Sequence, residues 1–211
     1  MRRFAALYEA LDRTTSTNAK VDALVGYFRA APPADAAWAL FFLTGRRVKR
    51  LIPSAVLHEL MVEGTGLPEW LLSESYAAVG DFAETLALLV ERVDDGRAID
   101  LALEVWMRER ILPLREATRE AQKAAVKRYW SEVADGERLV LNKLVTGEFR
   151  VGVSATLVVR ALATVGNVLA PVMAHRVMGD WEPSAAFFES LLAPEAASDD
   201  CLLYTSPSPR D

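Results

Sequence analysis

Apolar residues recur at helical spacing through almost the whole chain, and no alternating run long enough for a convincing strand interrupts them. Phe4, Leu7, Tyr8 and Leu11 make one stripe, and Val21, Leu24, Val25 and Phe28 a second, opened by the cap-rich run TTSTN. Further helices are predicted over 34–43, 54–63, 68–77, 80–92, 98–112, 116–133, 136–146, 154–169 and 184–192. Breaks are expected at Pro32-Pro33, Gly45, Pro53, Gly64 to Pro68, Asp94 to Gly96, Pro113, Asp135-Gly136, Gly147 to Gly152, Pro171 and Gly179 to Pro183. A chain of 211 residues with this pattern can bury a substantial core. The expected fold is all-α, a compact multi-helix domain.

Other classes find little support. The longest apolar runs fall short of the roughly 18 residues of a membrane span, and MRRFAALYEALDR is an amphipathic start rather than a signal peptide. With Cys201 alone there is no disulfide framework, and His58 and His175 have no ligand-spaced partners, so no metal site is expected. A cytoplasmic location is the expectation.

One segment echoes another a hundred positions away. Arg50-Leu51-Ile52-Pro53-Ser54-Ala55-Val56-Leu57 answers Arg150-Val151-Gly152-Val153-Ser154-Ala155-Thr156-Leu157, and upstream Leu43-Thr44-Gly45 answers Val145-Thr146-Gly147. Each copy reads as helix, Thr-Gly stop, basic turn, serine-led helix, which implies an internal pseudo-twofold helix-turn-helix duplication. A helix start offers unpaired N–H groups and the positive end of the dipole, both of which attract an anion. Gly152 leaves room for close backbone approach, and Arg50 and Arg150 carry forked donors suited to phosphate oxygens. Two such sites about a pseudo-dyad would match the antiparallel backbones of a duplex. In the plainer reading, Ser54 and Ser154 only cap their helices and the arginines sit in solvent. Net charge is -5, yet residues 1–50 hold nine Lys/Arg against four Asp/Glu, and residues 51–100 hold two against ten. A local basic face is compatible with a polyanion partner on an acidic protein.

The segments LNKLVTGEFRVGVS, TTSTNAKVDAL, VGDFAETLALL, LTGRRVKRLIPS and GLPEWLLSESY, in this arrangement, resemble the N-terminal DNA-binding domain of ATP-dependent DNA ligases, the bacterial branch above all. The resemblance spans residues 1–195. It implies an all-helical domain that lies over the minor groove opposite a nick and grips both backbones without base specificity. The matching positions are Arg150, Gly152 and Ser154 in the second turn, Arg50 and Ser54 in the first, and Thr15, Ser16 and Lys20 near the N-terminus. Gly147 and Lys143 beside the second turn, and Arg46, Arg47 and Lys49 in the first, complete the candidate set. Ile52-Pro53 replaces a glycine-rich form, so close backbone approach is better supported at Gly152. The alternative is a helical protein-interaction module with incidental basic turns.

The family's chemistry uses a lysine in a K-x-D-G motif on a following nucleotidyltransferase domain, with ATP and Mg²⁺. This chain has only Lys20-Val21-Asp22-Ala23, without the glycine and on an amphipathic helix. It is therefore expected to be an inactive fragment of a ligase serving DNA repair, replication or recombination. Its partners would be nicked duplex DNA and the missing nucleotidyltransferase and OB-fold domains. Residues 196–200 read as the start of a linker. Residues 201–211, CLLYTSPSPRD, read as a non-native, adapter-like tail.

Tryptophans 38, 70, 106 and 130 are all expected in the core. Asp81 and Glu84 read as a helix cap rather than a catalytic pair. Glu104–Arg108 at i,i+4 and Glu116–Arg119 and Glu120–Lys123 at i,i+3 are expected as ion pairs, with Lys123 and Lys127 as a lesser candidate extension of the phosphate track.

Overall fold

The periodic apolar faces close on one another as an all-helical domain in the computed structural model, which describes residues 1–49, 51–90, 98–147, 149 and 151–194. The helices are α1 (Arg2–Asp12), α2 (Thr17–Ala30), α3 (Pro33–Leu43), α4 (Ser54–Thr65), α5 (Glu69–Val79), α6 (Phe82–Leu89), α7 (Leu103–Val105), α8 (Arg119–Glu132), α9 (Asp135–Thr146), α10 (Ala155–Gly166), α11 (Ala170–Val177) and α12 (Ala185–Leu192). No strand occurs among the described residues. The expected break over 94–96, the linker and the C-terminal tail lie outside them, as do Arg50 and Arg150.

The packing falls into two groups. In one, α2 lies along α1 and α10, while α3 packs on α12 and α10, and α11 on α10 and α12. In the other, α4 packs on α8 and α5, and α6 on α5 and α9. The contact of α1 with α9 joins the groups into one core, and α3 also packs on α7. The loop from α3 to α4 therefore crosses from the first group to the second, and the loop from α9 to α10 crosses back. These two crossovers are the basic turns of the sequence echo.

Local chemistry accounts for the element ends, and for where the pattern misleads. Ser16 caps α2 by accepting from the Ala19 N–H at 3.4 Å, and Asp81 caps α6 by accepting from Glu84 at 2.9 Å. The predicted 154–169 helix is instead two. Asn167 takes a left-handed conformation (φ 50°) that ends α10, and Pro171 sits in the first turn of α11, where its missing N–H costs nothing. The predicted 98–112 helix is also irregular: α7 runs into a π-helical stretch, Trp106–Ile111, and then a 3₁₀ turn, Leu112–Glu116. Pro113 cannot donate to the carbonyl four residues back, so regular α-bonding cannot pass through it.

Three of the four tryptophans are core residues as expected: Trp38, Trp106 and Trp130 are buried. Trp70 is not, being 67 % exposed on α5, a helix that buries only Leu72. The Glu104–Arg108 pair forms at 3.0 Å. Arg119 and Lys123 turn away from their own helix to Glu59 and Glu63 on α4, and Lys127 joins Glu63 at 2.6 Å, so this ladder ties α8 to α4. No single helix among the described residues is long and apolar enough to cross a membrane.

Candidate nucleic-acid interface

Both crossovers begin with the same stop. After α3, Gly45 has φ 82°, and after α9, Gly147 has φ 73°. Any side chain is strained in this left-handed conformation, so the two Thr-Gly pairs have a conformational cause. The restarts differ. Ser154 occupies the cap position of α10, whereas Pro53 occupies that of α4 and Ser54 is the first helical residue, so the expected capping role for Ser54 is corrected. The Ser154 side chain makes no capping hydrogen bond and is exposed, leaving its hydroxyl and the first N–H groups of α10 facing outward.

The crossovers lie side by side. A Cβ at Gly147 would come within 3.5 Å of the Val48 carbonyl oxygen. Gly45 and Arg47 of the first turn and Phe149, Val151, Val153 and Ala155 of the second line one cleft of about 380 Å³. Phe149 moors the second turn. It is 5 % exposed and meets the rings of Phe4, Tyr8 and Phe42 at 5.3, 5.6 and 5.4 Å. The N-terminal helix, α3 and the turn thus share one aromatic cluster.

Beside this seam the first turn of α2 meets the segment leading into α10 and that helix's second turn. The Lys20 ammonium donates to the Gly152 carbonyl, and Arg160 on α10 approaches the Asn18 amide oxygen at 3.5 Å. Thr15 and Ser16 are exposed at the same edge. Gly152 does not have the left-handed φ of the stop glycines. The space beside it is taken by the Lys20 ammonium, which a Cβ there would meet at 3.4 Å. Arg47 and Lys49 are exposed, and no acidic side chain among the described residues pairs with them, with Lys20 or with Arg160.

Two candidate cations are committed elsewhere. Lys143 is only 4 % exposed, and its ammonium is held at 2.6 Å by Asp81. Burial works against that charge, but the Asp81 hydrogen bond and Tyr8 outweigh it and hold the ammonium above its ordinary value. Burial opposes ionisation of Asp81 too, yet Lys143 and the Glu84 N–H hold its carboxyl below the usual range. Arg46 donates to the Gly179 carbonyl and lies 4.5 Å over the Trp181 ring, so it fastens the first turn to the loop before α12. Arg46 braces the first turn and Lys143 ties α9 to the start of α6, so neither presents its charge at the seam.

Sequence reasoning did not single out Arg160, Asn18 or Phe149. Arg160 is the sole cation in an otherwise uncharged helix, and Phe149 the sole aromatic in a polar turn; both signals were in view. The pairing of α2 with α10, which gives Arg160 and Asn18 their place, carries no local mark.

No curated protein gives a significant match to this chain. Residues 1–163 match the family described as DNA ligase N terminus, and the chain belongs to that family.

Proposed function

We propose that this chain is the DNA-binding part of an ATP-dependent DNA ligase of bacterial type, gripping nicked duplex through minor-groove-side phosphate contacts without reading base sequence. The observation that carries this reading is the seam, where two crossovers meet the starts of α2 and α10 beside cations that have no acidic partner among the described residues. Lys20, Arg47, Lys49 and Arg160 supply charge, and Thr15, Ser16, Ser154 and open backbone N–H groups supply neutral donors. Arg50 and Arg150 belong to the same turns by sequence, and Ser54 opens the helix after the first. Contacts of this kind fix position on the duplex and leave sequence unread. One crossover runs from the first helix group to the second and the other runs back, which suits two antiparallel backbones, the role a pseudo-twofold duplication would serve.

Repair, replication and recombination are the processes in which such a ligase would act, alongside nucleotidyltransferase and OB-fold domains that use ATP and Mg²⁺. The residues here do not fit the nucleotide site. Lys20 lies on α2 with its ammonium on a backbone carbonyl, and Ala23 stands where the motif needs glycine. The chain's own contribution is therefore binding rather than sealing.

Arg150→Ala tests the reading. Titrated against unrelated duplex sequences at fixed salt, it is expected to weaken binding by about 1.5 kcal/mol, the same factor on each. A loss confined to one sequence would point to base readout and overturn the reading.

A further inference from the structure

The face made by α4, α5 and α6 has the opposite character to the seam. Residues 51–90 contain no Lys or Arg and six Asp/Glu. Glu59 and Glu63 are used by the cations of α8, and Asp81 by Lys143. Glu69 reaches only His58, at 3.8 Å, while Glu74 and Glu84 have no ion pair among the described residues. Between the helices lies a groove of about 330 Å³, floored by Leu57, Met61, Leu72 and Phe82 and rimmed by His58 and Tyr76.

The apolar surface continues onto open helix. At 100° per residue, Trp70, Ser73, Tyr76 and Ala77 share one arc of α5, and that arc also carries Glu69 and Glu74. Trp70 is 67 % exposed and Tyr76 45 %, although Tyr76 packs edge-on against Phe82 at 6.0 Å. A large exposed aromatic beside an apolar groove marks an interaction surface. DNA does not suit it, because phosphates would face carboxylates with no cation in the segment to offset them.

We propose that this face docks an amphipathic helical segment of a partner protein, with one large apolar side chain in the groove and Lys/Arg flanking it over Glu69 and Glu74. The match is one of charge and shape: an apolar floor, an aromatic shoulder and an acidic margin suit a basic helix laid in a groove. This inference does not depend on the seam binding DNA.

The test uses the whole chain and an 18-residue, tryptophan-free peptide of leucine and lysine at amphipathic helical spacing, with acrylamide quenching as readout. Trp70 dominates that signal, because Trp38, Trp106 and Trp130 are buried and Trp181 is half-buried. Saturable shielding in the tens of micromolar is expected. It should weaken at least tenfold in Glu69→Lys/Glu74→Lys and at least fivefold in Tyr76→Ser, and vanish when the leucines become serine. Unchanged circular dichroism establishes that these surface variants are folded. The proposal is overturned if the peptide leaves quenching unchanged, if the charge-reversed variant binds equally well, or if the serine peptide shields as strongly. Shielding of Trp70 by duplex DNA would overturn it too, by making this a nucleic-acid face.

Discussion

Phe149→Ala is expected to destabilise the fold by about 4 kcal/mol, the range found when a fully buried phenylalanine is truncated. The large value follows from what the ring touches. Phe4 stacks on it at 5.3 Å with an interplanar angle of 17°, Tyr8 meets it edge-on and Phe42 packs at a tilt. Removing it opens a cavity where α1, α3 and the second turn meet, and the two flanking helices are too rigid to collapse and fill it. Urea unfolding should show a lower midpoint at an unchanged slope. Because the turn loses its mooring, duplex binding should also weaken under conditions where the variant is still folded. A stability loss below about 1 kcal/mol would mean that the second turn does not depend on this cluster.

The largest effect on binding is expected from Lys20→Ala combined with Arg160→Ala. Each cation sits where α2 meets α10, one on the Gly152 carbonyl and the other near Asn18, and neither is covered by an acidic group among the described residues. Two charge-assisted phosphate contacts at about 1.5 kcal/mol each amount to about 3 kcal/mol, or roughly a hundredfold in affinity. The salt dependence should fall in step, by about 0.9 per contact removed, as fewer counterions are released. Neither side chain packs in the core, so unfolding should be nearly unaffected. A double variant that binds duplex as the parent does would remove the α2–α10 edge from the interface.

Much of the architecture was legible because helical periodicity and stop signals are local. The Thr-Gly stops, the Ser16 cap and the Asp81 cap follow from residues within one turn of the chain. What was not legible depends on partners distant in sequence. Lys143 looks like a free cation beside a basic turn until α6 brings Asp81 against it, and Arg46 until the loop before α12 supplies Trp181. Arg119 and Lys123 had acceptable partners close by in sequence, Glu116 and Glu120, but α4 offers Glu59 and Glu63 across the interface. Trp70 is the converse case: a hydrophobic residue at core spacing on a helix whose outer face the fold leaves open. Periodicity identifies a face without identifying what covers it. The seam is therefore the least readable part of the candidate site, because four separate segments build it.

The central claim, a phosphate grip at the seam, is tested most directly by the affinity of the intact chain for nicked duplexes of two unrelated sequences between about 50 and 200 mM salt. Contacts from Lys20, Arg47, Lys49 and Arg160 predict a log–log slope steeper than about -3, hence roughly a hundredfold loss across that range, with coincident lines for the two sequences. A slope shallower than about -1, or no binding at the lowest salt, would contradict it.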